Sequence, residues 1–131
     1  MKVLCAEDCG NAPKKALLRD VTIDYWGGDG QLMLENLADG AVWTVVGQAP
    51  AEGIQAIVEH RAGDRSDKPV ELQIHNIITH GNVASLNATV LRQDGSRLEY
   101  CDVFRFSGFG KKAKIKEITS YRIFSNRDAE Y

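Results

Sequence analysis

From residue 70 to residue 124 the chain consists of four strand-length runs separated by turn signals, and this constrains its fold more than any other feature. The runs are VELQIHNIITHG, NVASLNATVLRQ, RLEYCDVFRF and AKIKEITSYRIF, all rich in β-branched and aromatic residues. His80-Gly81-Asn82 parts the first two and Gln93-Asp94-Gly95-Ser96 the next two, and both segments suit hairpin turns. The longer, glycine-containing SGFGKK joins the third to the fourth. Neighbouring runs are therefore expected to pair antiparallel, as a meander.

The first half reads as helices. Asn11 can cap, Pro13 fits a first turn, and Leu17, Leu18, Val21 and Tyr25 form one apolar stripe before Gly27-Gly28 ends the helix. DGQLMLENLADG predicts a shorter helix with Leu34 and Leu37 facing inward, closed by a turn at Asp39-Gly40. AVWTVVG predicts a short strand, and AEGIQAIVEHRAGD a third helix with Ile54, Ile57 and Val58 on one side. Helices followed by a meander make an α+β domain. At 131 residues the chain is one domain, residues 1–131, with residues 1–11 an N-terminal arm.

Composition excludes several classes. A net charge of -2 lacks the basic excess of a nucleic-acid binder, and Lys111, Lys112, Lys114 and Lys116 read as a solvated hairpin. No run approaches the roughly 18 apolar residues of a membrane span, and MKVLCAEDCG has no apolar stretch of signal-peptide length. A cytoplasmic protein is expected, and three cysteines, an odd number, fit a reducing compartment. Cys5 and Cys9 precede a helix start, where a thiolate is favoured and redox or metal response is conceivable. The preferred reading is an arm on the sheet edge or the other subunit, whose cysteines act as small apolar residues.

No metal or cofactor is expected. His75 and His80, five apart in one strand, point to opposite faces unless a bulge intervenes, and His60 is solvated late in a helix. No serine sits in a Gly-x-Ser-x-Gly elbow, and GGDG and SGFG are turns rather than phosphate loops. Alternation in the last strands is imperfect. Positions 99, 101, 103 and 105 are Glu, Cys, Val and Arg, and Ile115, Tyr121 and Ile123 share one parity while Ile118 and Phe124 share the other. Apolar residues on both faces predict a homodimer through the convex face of the sheet.

YCDVFRF places Tyr100, Asp102, Phe104 and Phe106 on one face, so a carboxylate lies among aromatics. This run with the following SGFGKKAKIKEITSYRI, and YWGGDGQLMLENLADGAVWTVVG, resembles the nuclear transport factor 2-like superfamily, called SnoaL-like in bacteria, over residues 12 to 124. CGNAPKK, HNIITHG and KIKEITSY are similar to a bacterial branch with no established activity. The resemblance implies a cystatin-like α+β cone: a curved antiparallel sheet packed against three N-terminal helices. Within the superfamily, Asp102 aligns with the aspartate that ketosteroid isomerase keeps protonated to donate to an oxyanion. The positions of that enzyme's general base and oxyanion tyrosine fall on Val45 and Val21. Limonene epoxide hydrolase-like members use an Asp-Arg-Asp cluster. Asp102 and Arg122 share a face if the hairpin centres near Gly110-Lys111-Lys112, but one acidic member alone is evident, which favours a structural Asp102–Arg122 pair.

These readings converge on a cavity between the helices and the concave face. Its expected lining is Val21, Tyr25, Leu37, Trp43, Tyr100, Phe104 and Ile118, several of them plain core, with Asp102 the one catalytic candidate. The Trp43 indole N–H beside that carboxylate gives two polar handles. The expected function is binding of a small hydrophobic, oxygenated molecule in the cone. The alternatives are an isomerase, cyclase or hydratase of the ketosteroid isomerase-like type, or a non-catalytic interaction domain whose cavity is filled by side chains.

Overall fold

The computed structural model describes residues 1–6, 12–66, 69–110 and 112–125. Seven strands form one sheet in the order β1-β4-β5-β6-β7-β2-β3: β1 (Lys2–Cys5), β2 (Leu37–Val45), β3 (Ala51–Glu52), β4 (Pro69–His80), β5 (Val83–Arg92), β6 (Arg97–Phe106) and β7 (Ile115–Ser125). Helices α1 (Pro13–Gly27), α2 (Gln31–Glu35) and α3 (Ile54–Arg61) accompany it, and α3 runs into a 3-10 turn, Ala62–Arg65. The four long runs pair antiparallel as expected. The sheet as a whole is mixed, however, because β1 runs parallel to β4 and β2 parallel to β7. Register shifts between Ile74 and Asn76 and between Arg105 and Phe106 insert irregularities that bend and twist the strands, giving the sheet its concave face.

Helix α1 begins with Pro13 in its first turn and buries Leu18, Val21, Thr22, Tyr25 and Trp26 along one face. Asn11, the expected cap, lies outside the described residues. Helix α2 starts after Gly30, whose left-handed φ of 75° suits glycine, while the Asp29 carboxylate accepts the Gln31 N–H at 3.0 Å. It ends earlier than expected, and Met33 is its buried residue. Leu37 belongs to β2 instead, and Asp39-Gly40 lie inside that strand. The cause is tertiary: the Asn36 carbonyl accepts the Ile115 N–H at 2.8 Å and Leu37 pairs with Ile115, so the β7 edge captures this segment.

Of the expected N-terminal arm, Lys2–Cys5 form the edge strand β1, parallel to β4. Cys5 is not simply a small apolar side chain, since it is exposed at the strand end and is disulfide-bonded. Cys9 lies outside the described residues. Among those described, no helix is long and apolar enough to cross a membrane.

The core is the layer between α1 and the concave face. Phe104 is fully buried, opposite Ala84 on one side and Ile118 on the other. Truncating it by Phe104→Ala should cost about 3–5 kcal/mol in urea denaturation. A loss below about 1 kcal/mol would show that the core lies elsewhere.

Candidate functional site

The β6–β7 register sets the site. Asp102 lies opposite Ser120 and Tyr100 opposite Arg122, so alternation sends all four side chains to the concave side. Asp102 is only 6% exposed. Its Oδ1 accepts the Ser120 hydroxyl at 2.5 Å, and Ser120 Oγ accepts the Trp43 indole N–H at 2.8 Å. The expected Trp43–carboxylate proximity is thus a relay through a serine that sequence reasoning missed.

Arg122 does share the concave face with Asp102, but the expected Asp102–Arg122 pair is replaced by another. Its Nη atoms donate to both oxygens of Asp64 at 2.8 and 2.9 Å, with the two side chains 5% and 12% exposed. Asp64 also accepts a short hydrogen bond from the Tyr25 hydroxyl. The sequence signal for Asp64 is slight: an acidic residue just after Gly63, where the third helix runs out. Only the 3-10 turn carries it across to β7. Two carboxylates therefore flank Arg122 where the sequence showed one. Trp26 completes the cluster, donating to the Tyr100 hydroxyl at 3.0 Å while its ring lies under Arg92 and Arg122.

Burial pushes the Asp102 carboxyl up to about 6, against the opposing effects of the Ser120 hydrogen bond and the Arg122 charge. Burial also raises Asp64, but the hydrogen bonds and charge of Arg122, with the Tyr25 hydrogen bond, outweigh it and leave Asp64 below the ordinary carboxylate range. Burial, followed by the neighbouring Asp64, raises the Tyr25 hydroxyl far above its ordinary value. Burial, followed by the neighbouring Asp102, does the same to Tyr100.

The space among Thr22, Tyr25, Trp26, Met33, Trp43, Tyr100, Asp102 and Arg122 is about 10 Å³, enough for one water at most. Of the expected lining, Tyr25, Trp43, Tyr100 and Asp102 meet at this void. Val21, Leu37, Phe104 and Ile118 are buried in the surrounding core. A larger opening, about 210 Å³, lies at the cone mouth between Tyr25, Met33, Leu34, Trp43, Ile57, Val58 and Arg61. Val45 and Val21, at the positions of a base and an oxyanion tyrosine respectively, are both buried and apolar. The β4 bulge brings His75 and His80 to the outer face, where His75 Nε2 bonds Thr89 Oγ1 at 2.7 Å. Among the described residues no three His, Cys, Asp or Glu side chains gather as a metal site.

No family model and no curated protein matches the sequence. Solved structures do. A protein from Cytophaga hutchinsonii, described as NTF2-like and of unknown function, aligns at 20% identity and a TM-score of 0.61, over 82% of this chain and 97% of that one. An NTF2-like protein of unknown function from Burkholderia xenovorans aligns at 15% identity and 0.65, over 92% and 91%. One from Burkholderia pseudomallei, with the same description, aligns at 15% and 0.65, over 83% and 89%. The fold is the one these NTF2-like structures share. Identities this low establish architecture and leave chemistry to the side chains of this chain.

Asp102 holds its proton more tightly in the folded chain than in the unfolded one, where 3.8 is ordinary. Folding stability from this group therefore falls as pH rises from 3.8 to about 6. Asp64 acts oppositely: its contribution is present above the unfolded value and is lost as pH falls through its lowered one. Urea denaturation should show Asp102→Asn gaining about 2 kcal/mol on the wild type between pH 4 and pH 7. A constant difference across that range would mean that Asp102 is not the buried titrating group.

Proposed function

We propose that this NTF2-like protein binds a small hydrophobic, oxygenated molecule at the mouth of its cone. One observation carries the reading: an opening of about 210 Å³ walled by Met33, Leu34, Ile57 and Val58 and floored by Tyr25 and Trp43. Apolar walls with a few polar groups at one end are the usual make-up of a ligand site. Tyr25 and Trp43 also border the inner void, so the polar cluster of Asp64, Arg122, Ser120 and Asp102 stands behind the floor. Binding is favoured over turnover because the space beside Asp102 takes one water, and because Asp64 is already committed to Arg122 and Tyr25. The catalytic alternative gives Asp102 the role of a buried proton donor.

A thermal-shift screen of small apolar alcohols, ketones and acids should raise Tm, a ligand at a hundredfold excess over Kd adding about 2.7 kcal/mol. Val58→Trp, which fills the opening from its exposed rim, should abolish the shift. A shift that survives Val58→Trp would place the ligand elsewhere.

A second copy of the chain is the proposed partner for the convex face. Val46, Tyr121 and Ile123 are exposed there, Ile123 to 71%, around a groove of about 420 Å³ that includes Asn87 and Cys101. Exposed apolar side chains clustered on one sheet face are the expected mark of such a contact. Light scattering at micromolar concentration should give twice the chain mass, and Ile123→Asp should halve it. A wild-type monomer would remove this reading without touching the first.

A further inference from the structure

Helix α3 closes on His60-Arg61, and its last residue turns inward at the cone mouth. Arg61 is 7% exposed, unusually deep for a guanidinium. Its fixed interactions are few. Nη2 donates to Gln48 Oε1 at a long 3.3 Å, and the guanidinium lies 5.6 Å over the Trp43 ring. Nε is buried with no hydrogen-bond partner, and among the described residues no carboxylate lies within 4.0 Å of the group.

Arg122 provides the contrast within the same cone. Its Nε is also without a partner, but both of its Nη atoms grip Asp64, so its charge is neutralised at contact distance. Arg61 feels Asp64 and Asp102 only through space. A guanidinium cannot shed its proton to escape burial, so the positive charge stays, incompletely compensated, on the wall of the opening.

We propose that the opening takes a small apolar monocarboxylate, with the carboxylate on Arg61 and the tail against Met33, Leu34, Ile57 and Val58. This rests on the cone-mouth reading above and names its ligand class. The guanidinium fork matches a carboxylate in shape and charge, and a charge-assisted bond formed away from water is stronger than a neutral one. The walls beyond Arg61 are apolar, which suits a hydrocarbon tail and not a second ionised group. Asp29, exposed at the rim, and Asp64, behind the floor, repel a further negative charge and so disfavour phosphate. Trp43, beneath the guanidinium, is a natural reporter.

The test is titration of the full chain, by calorimetry and by tryptophan fluorescence, with two matched pairs: hexanoate against hexanol, and phenylacetate against phenylacetamide. Inorganic phosphate serves as the anion without a tail. Each acid should bind about tenfold or more tightly than its neutral partner, and phosphate should not bind. Arg61→Met should remove that advantage while leaving the neutral compounds within about threefold of their wild-type affinity. The same variant should be as stable in urea as the wild type or more so, because it removes a buried charge that has no close counter-ion. Equal binding of acid and neutral partner would overturn the carboxylate assignment alone. Binding of phosphate, or a marked loss of stability in Arg61→Met, would also overturn it, since either would give Arg61 a different role. Binding by none of the organic probes would overturn this assignment and the cone-mouth reading together.

Discussion

Arg122 leaves β7 on the concave side with its side chain 5% exposed, and a guanidinium that deep needs a carboxylate beside it. Asp64 supplies it from the 3-10 turn after α3, and the Tyr25 hydroxyl from α1 bonds the same carboxylate. Three segments far apart in sequence, one from the sheet and two from the helical layer, are thereby joined at one ion pair. The geometry is bidentate and the remaining lone pairs are partly met, which are the conditions under which a buried pair holds its place. The helices could pack on the sheet by apolar contact alone in several ways. The pair selects one of them, the arrangement that brings Tyr25 and Trp43 together as a partition.

That partition divides the cone into two chemical regions. Behind it, indoles, hydroxyls and carboxylates satisfy one another, and the leftover volume is that of a single water. In front of it lies an apolar opening with one incompletely compensated cation. A deep region with most of its hydrogen bonds made is a rigid floor, and a shallow region with an incompletely compensated charge is where a ligand has most to gain. The raised carboxyl of Asp102 belongs to the first region. Its rise follows from the burial of that carboxyl, against the Ser120 hydrogen bond and the Arg122 charge.

Much of this was legible in the sequence because short-range rules governed it. RLEYCDVFRF became a strand with the expected bounds and its aromatics inward, since period-two alternation needs only neighbouring residues. The register of the last hairpin followed from strand lengths and the glycine turn, and it put Asp102 and Arg122 on one face. The failures occurred where distant segments competed. Leu37 reads as the end of a helix by local spacing, but pairing with Ile115 recruits it into β2. Arg122 reads as the partner of Asp102, its near neighbour across the hairpin, yet the carboxylate it holds comes from 58 residues away.

The sequence by itself determined the α+β architecture, the inward face of each long strand and the burial of Asp102, because hydrophobic periodicity and turn chemistry are encoded locally. Only the tertiary structure decided which charges meet: Asp64 on Arg122, Ser120 between Trp43 and Asp102, and Arg61 at the cone mouth with no carboxylate beside it among the described residues. Those outcomes depend on distances of a few ångströms between elements remote in the chain. Electrostatic interaction in a dry interior is sensitive at that scale, and no pattern of neighbouring residues specifies it.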